Sequence, residues 1–334
     1  MSSYVYTLSK YRAKNYKELK NNDKFVDVEI YYYLCSIEQR CYFYPCKNIK
    51  QIISMKNYLL LAVLLISCVG CCHKNCQTTT ASQVIVTTFP STIGEAGVAV
   101  YLPAGYATSE TDYPVLYLLH GSGDDEAGWL TKGKAKAILD SLITNQLCQP
   151  MIVVMPNGYL EQTGKHYPAE TRLWMESTFE ENFNQLIAWT ESHFRTLTGK
   201  QHRAIAGLSM GGFHTMHTAA LLNQSFDYVG IFSALYVPYM SEHRAERTLA
   251  ISDLALSDKP AYQQTEALLA QQFATPPQLY WIACGAEDFL YQDNVVYRQY
   301  LDEKQYPYEY HESDGGHTWE NWIDYLTIFA QRIF

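Results

Sequence analysis

Gly207-Leu208-Ser209-Met210-Gly211, followed by Gly212, is the stretch on which the fold turns. It has the form G-x-S-x-G, the pattern of a sharp strand-to-helix corner that lifts a serine hydroxyl above a sheet. Glycine on both sides matters because a side chain there would collide with the neighbouring strand and helix. The pentapeptide alone is weak, since glycine and serine are common enough for it to arise by chance in roughly one chain in ten of this length. Its surroundings carry the reading. Arg203-Ala204-Ile205-Ala206 is short and mostly apolar and runs into the corner as a buried strand would. Phe213 to Leu222 follows as a helix.

Outward from the corner, strands and helices alternate. Gln83–Thr88 and Gly97–Leu102, separated by a turn around Gly94, predict a hairpin. Pro114–Leu119, Met151–Pro156, Tyr228–Ser233 and Gln278–Cys284 are apolar runs of strand length, and Tyr308–His311 is a last strand introduced by Pro307. Helices are expected over Ala135–Leu147, with Ala137, Ile138, Leu142 and Ile143 on one face, and over Phe179–Phe194, Asp293–Lys304 and Trp319–Phe334. This alternation predicts an α/β protein with a mostly parallel sheet and helices on both faces. Residues 235–277 form a longer connection suited to a small cap or pocket wall.

A serine hydroxyl is a poor nucleophile until a base takes its proton, and the base needs a carboxylate to orient it. When the serine sits on such a corner, the acid and then the histidine follow it in the chain. Gly285-Ala286-Glu287-Asp288 directly follows a predicted strand, and Gly315-Gly316-His317-Thr318 follows the last one. Both fall where the crevice of an open α/β sheet lies. The catalytic set read from this order is Ser209, Asp288 and His317, with Glu287 and Asp293 as rivals for the acid. Two amides must hold the oxyanion. One is that of Met210, and the other comes from the loop His120-Gly121-Ser122-Gly123, with Ser122 first and Gly121 as the alternative. His214 and His217 lie three apart on the corner helix, but core or surface positions suit them better than a metal pair. Trp129, Tyr236, Tyr239 and Trp319 are placed to line an acyl or sugar pocket or to fill the core.

The formal net charge is −9 over 334 residues. Residues 1–54 carry 9 basic and 5 acidic side chains, so the remainder is strongly acidic, which argues against nucleic acid or an anionic membrane as main partner. Seven of the nine cysteines precede residue 80, and no downstream His or Cys completes a zinc spacing with the Cys68–Cys76 group. Met55-Lys56-Asn57-Tyr58 opens the apolar run Leu59–Ile66, the pattern of a secretory signal and too short to span a bilayer. Leu65-Ile66-Ser67-Cys68 resembles the cleavage box of bacterial lipoproteins, which marks Cys68 for lipidation, with Cys71 as a poorer match. The expected organisation is an N-terminal extension over 1–54 upstream of a start at Met55, a signal segment over 55–71, a polar tether over 72–82 and a domain over 83–334.

Tyr117-Leu118-Leu119-His120-Gly121, Gly207 through Gly212, Cys284-Gly285-Ala286-Glu287-Asp288-Phe289 and Gly316-His317-Thr318-Trp319 together resemble the esterase D-like (putative esterase) family. That family includes feruloyl and acetyl-xylan esterases, S-formylglutathione hydrolases and enterochelin esterases, and the likeness covers residues 83–334. Many relatives have another glycine where this chain has Ser122, so the donor in that loop is the least fixed part. The resemblance implies an α/β-hydrolase fold, ester hydrolysis through an acyl-serine and no metal or organic cofactor. An exported form, lipid-anchored to the bacterial envelope as the segment around Cys68 predicts, looks most like the members that strip feruloyl or acetyl groups from plant polysaccharides. A siderophore esterase, an S-formylglutathione hydrolase-like esterase or an acyltransferase would use the same scaffold, as would a non-catalytic binding protein.

Overall fold

The computed structural model describes residues 81–160, 178–234, 262 and 264–334. Apolar runs of strand length become eight strands: β1 (Gln83–Ser91), β2 (Gly94–Leu102), β3 (Val115–Leu119), β4 (Ile152–Pro156), β5 (Arg203–Leu208), β6 (Tyr228–Phe232), β7 (Leu279–Gly285) and β8 (Glu309–Ser313). They form one sheet in the order β1-β2-β4-β3-β5-β6-β7-β8. The hairpin β1–β2 and the β2–β4 pair are antiparallel, and every other pair is parallel. This is the α/β-hydrolase fold expected above. The parallel strands β3, β4, β6 and β7 are buried along their whole length, which is why each reads as an unbroken apolar run rather than an alternating one.

Among the described residues, seven helices link and cover the strands: α1 (Gly128–Thr131), α2 (Ala135–Thr144), α3 (Phe179–His193), α4 (Met210–Leu221), α5 (Thr265–Phe273), α6 (Tyr291–Glu303) and α7 (Trp319–Ala330). The two faces of the sheet carry separate cores. One gathers Tyr117 and Ile205 with Phe183, Phe213 and Tyr297, from α3, α4 and α6. The other gathers Leu116 and Ala206 with Leu139, Trp322 and Phe329, from α2 and α7. Successive residues of a strand feed opposite cores because side chains alternate along it.

Two expectations, both for α2, are corrected. Helix α2 stops at Thr144, because Gln146 takes a positive φ of 57° and Leu147 N–H returns to the Leu142 carbonyl. Its buried face is Ala135, Leu139 and Leu142, and Ala137 is exposed. The 235–277 connection contains α5, whose apolar residues Leu269 and Phe273 pack on the sheet. Tyr236, Tyr239 and the segments 1–54, 55–71 and 72–80, with Cys68 and Cys71, lie outside the described residues.

The sheet order reverses between β3 and β5, since β4 lies on one side of β3 and β5 on the other. Such a switch point opens a crevice at the carboxyl ends of the strands. The loop after β3 and Ser209 after β5 both lie there.

Candidate active site

Ser209 caps the N-terminus of α4 with φ 52° and ψ −114°, a conformation costing a non-glycine residue roughly 1–3 kcal/mol. The surrounding structure holds it there. Its N–H donates to the Phe232 carbonyl at 2.9 Å, and its own carbonyl accepts from Phe213 N–H at 3.0 Å. A Cβ on Gly207 would overlap the Gly211 carbonyl, and one on Gly211 would lie 2.5 Å from the carbonyl oxygens of Leu119 and His120. Glycine at both positions is thus a steric requirement for strand, corner and helix to meet. The first amides of α4, beginning with Met210, have no acceptor within the helix and carry its positive end.

The loop after β3 passes against the corner, where a Cβ on Gly121 would come 3.6 Å from Ser209 Cβ. His120 shapes this loop. It is 2% exposed, its Nδ1–H donates to the Gly121 carbonyl, and its Nε2 accepts from Gly158 N–H, both at 2.8 Å. Only the neutral Nδ1–H tautomer makes both bonds. The Tyr159 hydroxyl accepts from Gly123 N–H at 2.9 Å, and Asp124 N–H donates to the Gly121 carbonyl at 3.3 Å. Those two amides are committed to the loop itself.

Asp288 and His317 are brought together. His317 Nδ1 lies 3.0 and 2.9 Å from the two carboxylate oxygens of Asp288. The Asp288 side chain is fully buried and that of His317 is 16% exposed. Their loops interlock through backbone: Ala286 N–H donates to the Ser313 carbonyl at 2.8 Å and Glu287 N–H to that of Gly315 at 2.9 Å. A side chain on Gly285 would overlap Gly315, so the close approach needs glycine. Asn321, in the first turn of α7, donates to Ser313 Oγ at 2.8 Å and to the Asp314 carbonyl at 2.7 Å, fixing the histidine loop from below. The rival Glu287 is exposed, and Asp293 is buried in the first turn of α6.

Aromatic rings run in edge contact from the core to His317. Trp129 meets Trp319 at 5.2 Å, Trp319 meets Trp322 at 5.2 Å, and Trp322 stands perpendicular to the imidazole at 4.9 Å. Of the two roles open to Trp129, pocket wall or core, the structure shows the core. It is 1% exposed and its indole N–H donates to the Leu119 carbonyl at 2.9 Å, tying off the end of β3. Trp319 is half-buried within the same row.

His214 and His217 face the core. His214 Nδ1 lies 2.7 Å from Glu180 Oε1, and His217 Nδ1–H donates to the Phe213 carbonyl at 2.9 Å. Tyr262 donates to both Glu180 oxygens at 3.1 Å. Burial raises the Glu180 carboxyl, but the charge and hydrogen bond of His214, together with His217 and a backbone hydrogen bond, hold the group below its ordinary value. Among the described residues no group of three His, Cys, Asp or Glu is placed to hold a metal ion, and no helix is long and apolar enough to cross a membrane. A surface hollow of about 610 Å³, lined by Leu147, Cys148 and Phe334, lies at the opposite edge of the sheet and holds none of the groups above.

Burial pushes both His120 and His217 down to about 4. Both rings stay neutral in the fold, whereas a free imidazole takes a proton below about pH 6.5. Their contribution to stability is therefore fully present above about pH 6.5 and is lost as pH falls toward about 4, by about 3 kcal/mol for each ring. Denaturation midpoints measured from pH 7 to pH 4.5 should fall steadily, and His217→Gln should make the fall shallower by one proton. A stability independent of pH over that range would refute the neutral assignment.

Sequence reading missed Tyr159 and Glu180, which act through partners far along the chain and leave no local pattern, and Asn321, whose partners Ser313 and Asp314 lie just before its helix. A family model described as "Putative esterase" matches residues 90–331. Among curated proteins, the chain is 36% identical over 144 residues to an endo-1,4-beta-xylanase/feruloyl esterase of Xylanibacter ruminicola, covering 42% of this chain and 20% of that protein. It is 29% identical over 250 residues to an esterase of Mycobacterium tuberculosis, covering 66% of this chain and 52% of that protein. The chain thus spans from about a fifth to about half the length of these relatives. Among solved structures, a ferulic acid esterase aligns with a TM-score of 0.59 at 28% identity, covering 76% of this chain and 100% of that one.

Proposed function

The chain belongs to the Putative esterase family, and from that premise we propose that it is a serine esterase that removes feruloyl or acetyl groups from plant polysaccharides or oligosaccharides. The observation that carries the chemistry is the strained Ser209 at the sheet's switch point, with His317 paired to the buried Asp288 on the same carboxyl edge. In this reading Asp288 accepts from His317 Nδ1–H, which leaves Nε2 as the base. Nε2 takes the Ser209 proton as Oγ attacks the ester carbonyl. The amides of Met210 and of Ser122 or Gly121 hold the oxyanion, each such donor contributing on the order of 100–1,000-fold in rate. His317 then returns the proton to the leaving alcohol, and water releases the acyl group by the same steps in reverse order.

The acyl assignment is supported by the feruloyl esterase and ferulic acid esterase named among the relatives. An exported form anchored through Cys68 would place the site beside such polymers. The test is a panel of methyl ferulate, a feruloylated arabino-oligosaccharide, an acetylated xylo-oligosaccharide, a siderophore triester and S-formylglutathione. The highest kcat/KM is expected on one of the acylated sugars. A tenfold preference for the triester or the thioester would replace the substrate assignment and keep the chemistry.

A further inference from the structure

Phe289 directly follows the acid of the site and is 60% exposed. The other large apolar side chains that are similarly exposed among the described residues, Ile85, Val86, Ile93 and Leu147, belong to the β1–β2 hairpin or the end of α2, away from Ser209. Leaving a phenyl ring in water forgoes roughly 1.5–3 kcal/mol of burial. The ring is held out by the chain on either side of it. Asp288 and Leu290 are both buried, Leu290 N–H donates to Asp288 Oδ1 at 2.8 Å, and Tyr291 N–H donates to the Asp288 carbonyl at 2.9 Å. The turn that fixes the carboxylate therefore also aims Phe289 outward.

The ring leans on the imidazole of His317, with centroids 4.4 Å apart and planes at 48°. Trp322 supports the imidazole from the core at 4.9 Å. His317 thus has one aromatic neighbour that is core and one that is surface. Nδ1 is committed to Asp288, so protons pass through Nε2. The oxygen that receives the proton must come within about 3 Å of Nε2. That oxygen belongs to the leaving alcohol, so the alcohol, not the acyl group, lies on the histidine side. A ring attached to it comes within contact reach of the exposed phenyl face. The face of a phenyl carries negative charge density and attracts the C–H edge of a saturated ring.

We propose that Phe289 is a specificity-determining residue, a platform for the sugar ring that leaves as the alcohol. This rests on the reading of Ser209, Asp288 and His317 as an ester-cleaving site. It adds that the enzyme reads the alcohol half of its substrate beside its general base.

The experiment compares two esters of one acid, methyl ferulate and a feruloylated arabino-oligosaccharide, in wild type, Phe289→Ala and Phe289→Tyr. In Phe289→Ala the loss of kcat/KM on the sugar ester should exceed that on the methyl ester by about five- to tenfold, chiefly through KM. Phe289→Tyr, which keeps the ring, should restore the ratio. The pH profile of kcat on the methyl ester should not move. Equal losses on both esters, or a shifted pH profile, would make Phe289 a support for His317 and overturn the platform while leaving the esterase reading intact. A wild type that cleaves neither ester would overturn both.

Discussion

Ser209→Ala is expected to lower kcat for ester hydrolysis by about 10⁴- to 10⁶-fold without unfolding the protein. In the proposed mechanism the substitution removes the atom that would form the acyl-enzyme and leaves everything that shapes the site. The corner is held by the Ser209 N–H on Phe232, by the Ser209 carbonyl under Phe213 and by the glycine contacts, none of which involves Oγ. Alanine at φ 52° bears the same strain as serine, so stability should stay within about 0.5 kcal/mol. What remains would come from the oxyanion amides and substrate binding. The measurement is turnover of p-nitrophenyl acetate with an active-site titration, beside a thermal melt. Ferulate or a feruloylated sugar should still bind the variant. Activity within tenfold of wild type in a folded variant would remove Ser209 from the mechanism, and with it the serine esterase reading.

Much of this architecture is legible in the sequence because it rests on local constraints. Buried parallel strands must be apolar on both faces, so β3, β4, β6 and β7 declare themselves. Gly207 and Gly211 are dictated by backbone a few residues away or on the adjacent strand, so the corner is readable as a motif. Chain order then places the acid and the histidine, because strands paired in parallel put successive loops on one edge.

What escapes is whatever depends on distant partners. Glu180 meets His214 across 34 residues and Tyr262 across 82, and no periodicity joins them. Tyr159 holds Gly123 from 36 residues away. Trp129 lies in a loop-like stretch suited to a pocket wall, yet tertiary packing against Trp319 draws it into the core. Phe289 is the reverse case, an apolar residue that the turn at Asp288 holds in water. The buried face of α2 is not legible because apolar residues recur on two adjacent stripes, and only contact with the sheet selects Ala135, Leu139 and Leu142.

Asp288→Asn is expected to lower kcat by about 10⁴-fold, more than a lost ion pair alone would cost. The reason lies in the second bond that this carboxylate makes. Oδ1 accepts from Leu290 N–H at 2.8 Å, so an amide placed there must turn its carbonyl oxygen toward Leu290. Its NH₂ then occupies the Oδ2 position, 2.9 Å from His317 Nδ1. A donor facing Nδ1 obliges that nitrogen to accept, and the proton of the neutral imidazole moves to Nε2. In that tautomer Nε2 cannot take the Ser209 proton. The site keeps its shape while its base is blocked. Asp288→Ala leaves Nδ1 without a donor facing it, so some of the productive tautomer survives, and its loss should be no greater than that of the asparagine variant. The check is kcat for both variants on p-nitrophenyl acetate, with ¹⁵N chemical shifts of His317 to read the tautomer. An asparagine variant that keeps the Nδ1–H form, or that turns over within tenfold of wild type, would show that Asp288 does not set the state of the base.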